Sequence, residues 1–444
     1  MNDALFHDRA MQVADARSQQ RCDAVLERMH THRGHPAAAL EQLLDDDPGC
    51  VWAHCLRAGL IVHADDTASW SALRTSLDAI DAAKLDRDDP ALRHAAAARA
   101  WLDGDSMLAL ARYGAIVAER PRDLLALMVA HALDFRMARW EMLRDRVAGV
   151  LPRWHAGMRG YASVLAMYAF GLEENGEYRQ AEKIARDALA IDPMHVGAMH
   201  ALVHVLEMEA RAREGLAFLA DNEAAWSEGN GYVVHLAWHR ALFHFELEDV
   251  GAALAVYDRK IANAANGDVS ALSDASALLW RLELRNFDLR ERWQALADRW
   301  ATQRLALVRP FHIVHAMMAF AAAKRKSAAT RLLDALHEEA PAVLPERALM
   351  RPMCEALAAF ARRDFAACVE WLTQVRRFAH RCGGSLAQCD LIHLTFTEAA
   401  LRARKSSLAS ALVAERATRK PSSPLNRFLQ NRVRLAMPAM ALGG

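Results

Sequence analysis

Between Ala162 and Pro193 the chain reads ASVLAMYAFGLEENGEYRQAEKIARDALAIDP, a stretch with room for one arrangement: two helices packed back to back. Small residues at Ala169, Ala181 and Ala188 let the helices approach closely, Tyr178 fills the gap between them, and Pro193 ends the second helix. WHRALFHFELEDVGAALAVYDRKI, Trp238 to Ile261, repeats the pattern with Ala241 and Ala253 at the small positions. A weaker copy, MCEALAAFARRDFAACVEWL from Met353 to Leu372, carries Phe365 at the aromatic position and Cys368 at a small one. More degenerate pairs fit at Ala37–Ala64, Met107–Ala138 and Val314–His337. Elsewhere Ala, Leu, Arg and Glu dominate, and period-two runs of β-branched residues are missing, so the rest reads as helix too.

One such hairpin cannot bury its apolar face alone, so the pairs must stack. The expected fold is all-α: a tetratricopeptide-like α-solenoid, a right-handed superhelix of roughly six to eight helical hairpins around a polar concave pocket. The boundaries read as an irregular N-terminal helical segment at 1–35, the repeat domain at 36–405, and a capping helix and tail at 406–444. No Gly/Ser-rich or Pro-rich linker interrupts the 444 residues.

Composition narrows the function classes. With 55 basic and 55 acidic side chains the chain lacks the cationic surplus that displaces counterions from phosphates, so nucleic acid is not an expected partner. No apolar run reaches the ~18–20 residues of a membrane span. The start, MNDALFHDRAMQVADARSQQ, has no basic segment followed by an apolar core. The seven cysteines are odd in number and form no C-x-x-C pair, which reads as reduced thiols in a cytoplasmic protein.

The chemistry concentrates in two helices. MHALVHVLEMEA puts His200, His204 and Glu207 at i, i+4 and i+7, on one helical face. HLAWHRALFHFE does the same with His235 and His239, and Glu246, seven residues past His239, falls within about 20° of both. His200 to His235 and His204 to His239 are both 35 residues apart, one repeat period. The same step from His239 reaches Asp274, and from Glu246 it reaches Arg281. The expectation is a ladder of titratable groups on successive helices, lining the concave face.

Such a ladder suits three functions. The first is binding of a small polar metabolite or short peptide, with catalytic capacity left open. His204 and His239 then contact the ligand, Glu207 and Glu246 orient the imidazoles, and Arg281 pairs with a ligand carboxylate or with Asp274. The second is a metal-dependent or acid/base enzyme of small-molecule metabolism, with His200, His204, His235 and His239 as candidate ligands of a divalent metal. The third is a protein–protein scaffold. No HExxH, G-x-S-x-G, Walker or dinucleotide-binding pattern is present, so no catalytic nucleophile is assigned. Trp226, Trp238, Trp280 and Trp293 are candidate stacking residues, and His312 and His315 open a later helix. Ser385, after Gly383-Gly384, reads as a helix cap rather than an anion site. The basic stretch Arg402–Arg434 reads as a solvated cap face. A homodimer through the repeat edges is left open.

Beyond these residues, the blocks YAFGLEENGEYRQAEKIARDAL, HALVHVLEMEA, HLAWHRALFHFE, VYDRKI, LLWRLEL, GGSLAQCD and SPLNRFLQNR resemble the tetratricopeptide repeat protein 38 family, from about Ala37 to Arg432. The resemblance falls on His200, His204, Glu207, Trp226, His235, Trp238, His239, Glu246, Asp274, Arg281, His315, Ser385, Gln388 and Asp390. It implies the repeat fold and no particular reaction. Cys389 stands where relatives carry arginine.

Overall fold

The computed structural model describes residues 16–263, 268–305, 309–338 and 347–436. Among them the regular structure is helical throughout; the β-type pairing is a single isolated bridge between Arg33 and Asn230. The weak pair expected at Val314–His337 is present as helices Pro310–Ala322 and Lys326–Glu338, packed on each other. No described helix is long and apolar enough to cross a membrane.

The chain divides into two compact units. The first comprises 1–202 with 224–233, the second 203–223 with 234–444. In each, successive helices pack on one another in adjacent pairs. In the first unit, Tyr161–Glu174 packs on Tyr178–Ile191, as its small residues require, and also on Trp140–Val150. Gly171 makes the second contact feasible, since a Cβ there would lie 2.7 Å from the Arg144 Cα and the Leu143 carbonyl. Residues 224–233 are pinned to the N-terminal helix region by the Arg33–Asn230 bridge and by the Gly34 N–H, which donates to the Gly229 carbonyl at 2.6 Å. Cys22 and Cys50 bring their sulfurs to 3.7 Å, a proximity that their sequence separation conceals.

In the second unit, Val269–Leu284 packs on Arg290–Ala301, and Leu386–Arg402 on Ser406–Arg419. Val269–Leu284 also touches Pro310–Ala322 and Leu386–Arg402, which makes it the hub of this unit. Three tryptophans of this core donate their indole N–H groups: Trp280 to Thr395, Trp293 to Glu283 and Trp300 to Ser276, at 3.0, 3.1 and 2.9 Å.

The turn between the helices of each hairpin holds a residue with positive φ. Ala210, Glu248, Asn286 and Lys324 occupy that position in succession, so the structural period here is 38 residues. The 35-residue step read from the histidine pairs is therefore not the repeat. His204 and His239 are displaced by about one helical turn relative to equivalent positions, because the stretch joining their two hairpins, 222–232, is longer than the 192–195 connection that follows the compact repeat.

Candidate functional site

The helix Val196–Met208 crosses from one unit to the other after Leu202. His204 and Glu207 belong to the second unit, whereas His200, one turn earlier, belongs to the first. There its ring lies 5.4 Å from Phe170 and 4.7 Å from Tyr232, centroid to centroid. Trp226 also belongs to the first unit, where it is wholly buried. The other site residues expected from the sequence all lie in the second unit.

Within that unit the histidines form a compact group. His204 and His239 have ring centroids 4.6 Å apart, His235 and His239 4.7 Å, and His204 and His235 6.4 Å. His204 and His239 are fully buried and His235 partly so. Each of two rings is held by a carboxylate. His235 Nδ1–H donates to Asp274 Oδ2 at 2.9 Å, and His239 Nδ1–H donates to Glu207 Oε2 at 2.8 Å. A carboxylate only accepts, so both rings carry a proton at Nδ1, and their Nε2 atoms face each other at 3.2 Å.

Electrostatics separate the two rings. Burial would depress the His235 pKa, but Asp274 outweighs it and holds it above the ordinary value. Burial depresses His239 to about 3, with the neighbouring His204 and His235 adding to the effect against Glu207. Burial would raise the Glu207 carboxyl; Lys420, 3.4 Å away, and the His239 hydrogen bond more than offset it and hold it below the usual carboxylate range.

The carboxylates do not follow the expected ladder. Asp274 faces His235, not His239; it lies next to Ser273, the position one 38-residue period after His235. Glu246 orients no imidazole and instead accepts from the Ser423 hydroxyl. Arg281 does not pair with Asp274 either: no carboxylate among the described residues lies within ion-pair distance of it. It donates to the backbone carbonyls of Ala277 and Ala387 at 3.1 and 3.0 Å. Burial holds its pKa below the ordinary value, although Asp390 and Glu207 act in the opposite sense. Its guanidinium sits 5.4 Å from the Trp238 ring centroid, and Trp238 in turn stacks on His235 at 5.3 Å and 16°.

Near Arg281 two buried polar atoms lack a hydrogen-bond partner; elsewhere in this unit Arg240 Nε and Arg285 Nη1 do too. The Trp238 indole N–H is one, unlike those of Trp280, Trp293 and Trp300. His315 donates from Nδ1 to the Phe311 carbonyl at 2.7 Å, which leaves its buried Nε2 as an unused acceptor. Burial keeps that ring neutral, with a pKa of about 4, within reach of the charges of Asp274 and Arg281.

Arg281 and Glu207 also line a small cavity of about 20 Å³ with Glu246, Asp390, Arg416 and Lys420. Arg416 and Lys420 correct the reading of the C-terminal stretch as a solvated face. Both are nearly fully buried, Arg416 on Asp390 at 2.9 Å with Ser423 and Asn426 beside it, and Lys420 on Glu207. Sequence reasoning missed them because long basic side chains late in a chain ordinarily face water; the neighbouring Ser423 and Asn426 were the available signal. Ser385 forms a capping box with Gln388 at the start of Leu386–Arg402. His312 bonds Ser273 at 2.8 Å.

The first unit holds a polar group that the sequence reading missed altogether. Ser163 Oγ lies 2.6 Å from His195 Nε2 and 2.7 Å from His30 Nδ1. His195 Nδ1 accepts from the Ala198 N–H, so its Nε2–H donates to the serine. Burial depresses His195 to about 4 and His30 to about 3. Rings also run in contact from His63 through His32 to Tyr232. None of these histidines has an i+4 imidazole on its own helix, so local spacing does not mark them.

No family model matches the chain. A search of solved structures finds a likeness to a chain in the structure of Naa15/Naa10 bound to HypK-THB, with 12% sequence identity and a TM-score of 0.33. It covers 94% of this chain and 69% of that one.

Proposed function

We propose that the second unit binds a small carboxylate-bearing metabolite through Arg281, with a hydroxyl or amine of the same ligand on His315. The observation that carries this reading is a guanidinium only 3% exposed with no carboxylate within ion-pair distance among the described residues. Buried charges in folded proteins are paired, and about nine in ten or more buried polar groups find a partner. The Arg281 charge has no ion-pair partner among the described residues, and the Trp238 N–H and the His315 Nε2 have no hydrogen-bond partner; all three lie within one unit, around one helix, Val269–Leu284. Their chemistry is complementary to one ligand: two donors suit a carboxylate, and a neutral imidazole acceptor suits an adjacent O–H or N–H. The cavity beside Arg281 has room for about one water-sized group, so it suits the head of an anion rather than a whole cofactor.

Thermal denaturation in the presence of small hydroxy- and amino-carboxylates tests this. A binding carboxylate raises the melting temperature in a concentration-dependent way, and Arg281→Gln weakens it about 10- to 150-fold, the worth of a charge-assisted hydrogen bond. The absence of any shift with the wild-type protein at millimolar concentrations of every such acid would reject the reading.

A further inference from the structure

We propose that His204, His235 and His239 bind one divalent transition-metal ion, with ligands other than the Arg281 and His315 of the anion reading above. Two imidazoles bound to one zinc ion at about 2.0–2.1 Å, with an angle of about 100–110° between them, have nitrogens about 3.1–3.4 Å apart. His235 Nε2 and His239 Nε2 are 3.2 Å apart. Both present this nitrogen because their other ring nitrogen is committed to a carboxylate, Asp274 and Glu207 respectively. That is the arrangement by which proteins fix the tautomer of a metal-binding histidine and raise its basicity.

His204 supplies the third imidazole. One ligand nitrogen from each of the three rings lies within 4.8 Å of the others, and binding draws the His204 nitrogen to the same distance from the ion. All three rings are wholly or partly buried, as are both carboxylates, so the set is held by the fold rather than gathered at the surface. Three neutral nitrogen donors suit zinc, iron(II), cobalt(II), nickel(II) or copper(II) and disfavour magnesium and calcium, which take oxygen. The three protein ligands leave a coordination position for water or a substrate atom.

An N–H···N hydrogen bond between the two rings spans the same gap, and metal analysis separates the two occupants. Full-length protein without a histidine tag, stripped with chelator and dialysed against one equivalent each of zinc, iron(II), cobalt(II), nickel(II) or copper(II), is assayed by elemental analysis. The expected result is close to one equivalent of at least one metal retained. His204→Ala and His239→Ala each weaken its affinity by at least 100-fold, and Asp274→Asn and Glu207→Gln by about 10- to 100-fold. The two amide variants preserve side-chain shape, so they serve if the alanine variants do not fold. Arg281→Gln leaves metal affinity unchanged, which keeps failure of this proposal distinct from failure of the anion reading. Two outcomes overturn it: no metal retained above trace by the folded wild-type protein, or retention that the histidine and carboxylate variants leave unaltered, which marks adventitious binding by other histidines.

Discussion

Ser163, held between His195 and His30, makes a pH prediction that belongs to single side chains. Both rings are neutral in the fold, with pKa values of about 4 and about 3, while an unfolded histidine titrates near its ordinary value of about 6.5. Between those limits the unfolded chain binds more protons, so stability is complete above about pH 6.5 and falls as the pH drops. Each such histidine contributes a slope of about 1.4 kcal/mol per pH unit. Urea denaturation from pH 7.5 to 4.5 should show this acid limb, and His195→Asn should make it shallower. A slope untouched by that substitution would mean the ring is already protonated in the fold. At this scale the sequence was partly legible. The pairs His200/His204 and His235/His239 stand out because each lies within one helix. Their carboxylate partners do not, because those contacts depend on the register between helices. Lys420 meets Glu207 across more than two hundred residues, which no local spacing encodes.

Helices and turns are where prediction from sequence reached furthest. The hairpin at Ala162–Pro193 forms where its small residues place it, and Gly171 explains how closely the preceding helix can lie against it. Gly171→Ala sets a Cβ 2.7 Å from backbone atoms of residues 143 and 144, which cannot swing aside as a side chain would. The expected cost is about 1–3 kcal/mol, read from the denaturation midpoint. A loss below about 0.5 kcal/mol would mean the two helices slide apart at little cost. The period was misread for a physical reason. Histidine spacing reports which faces carry polar groups, whereas positive-φ turn residues such as Glu248, Asn286 and Arg363 mark the true phase. Those residues are charged or polar rather than glycine, so the turns leave little trace in composition.

Over the whole chain, the 55 cationic and 55 anionic side chains balance near a calculated isoelectric point of 7.3. Self-repulsion is then weakest close to neutrality. Precipitation by polyethylene glycol should accordingly pass through a solubility minimum near pH 7.3, and a minimum displaced by more than about one pH unit would require many surface groups to titrate abnormally. The all-helical class was legible from composition and periodicity, but the division into two units was not, since it falls inside a continuous helix and carries no linker.

The clasp of Arg33 and Gly34 on Asn230 and Gly229 also sets a timetable for synthesis. A ribosome releases the chain from its N-terminus, and neighbouring hairpins can pair as they emerge. The last piece of the first unit, though, is encoded after the second unit has begun. Until residue 233 clears the exit tunnel, the nascent first unit lacks the contacts that 229 and 230 make with its N-terminal helix region.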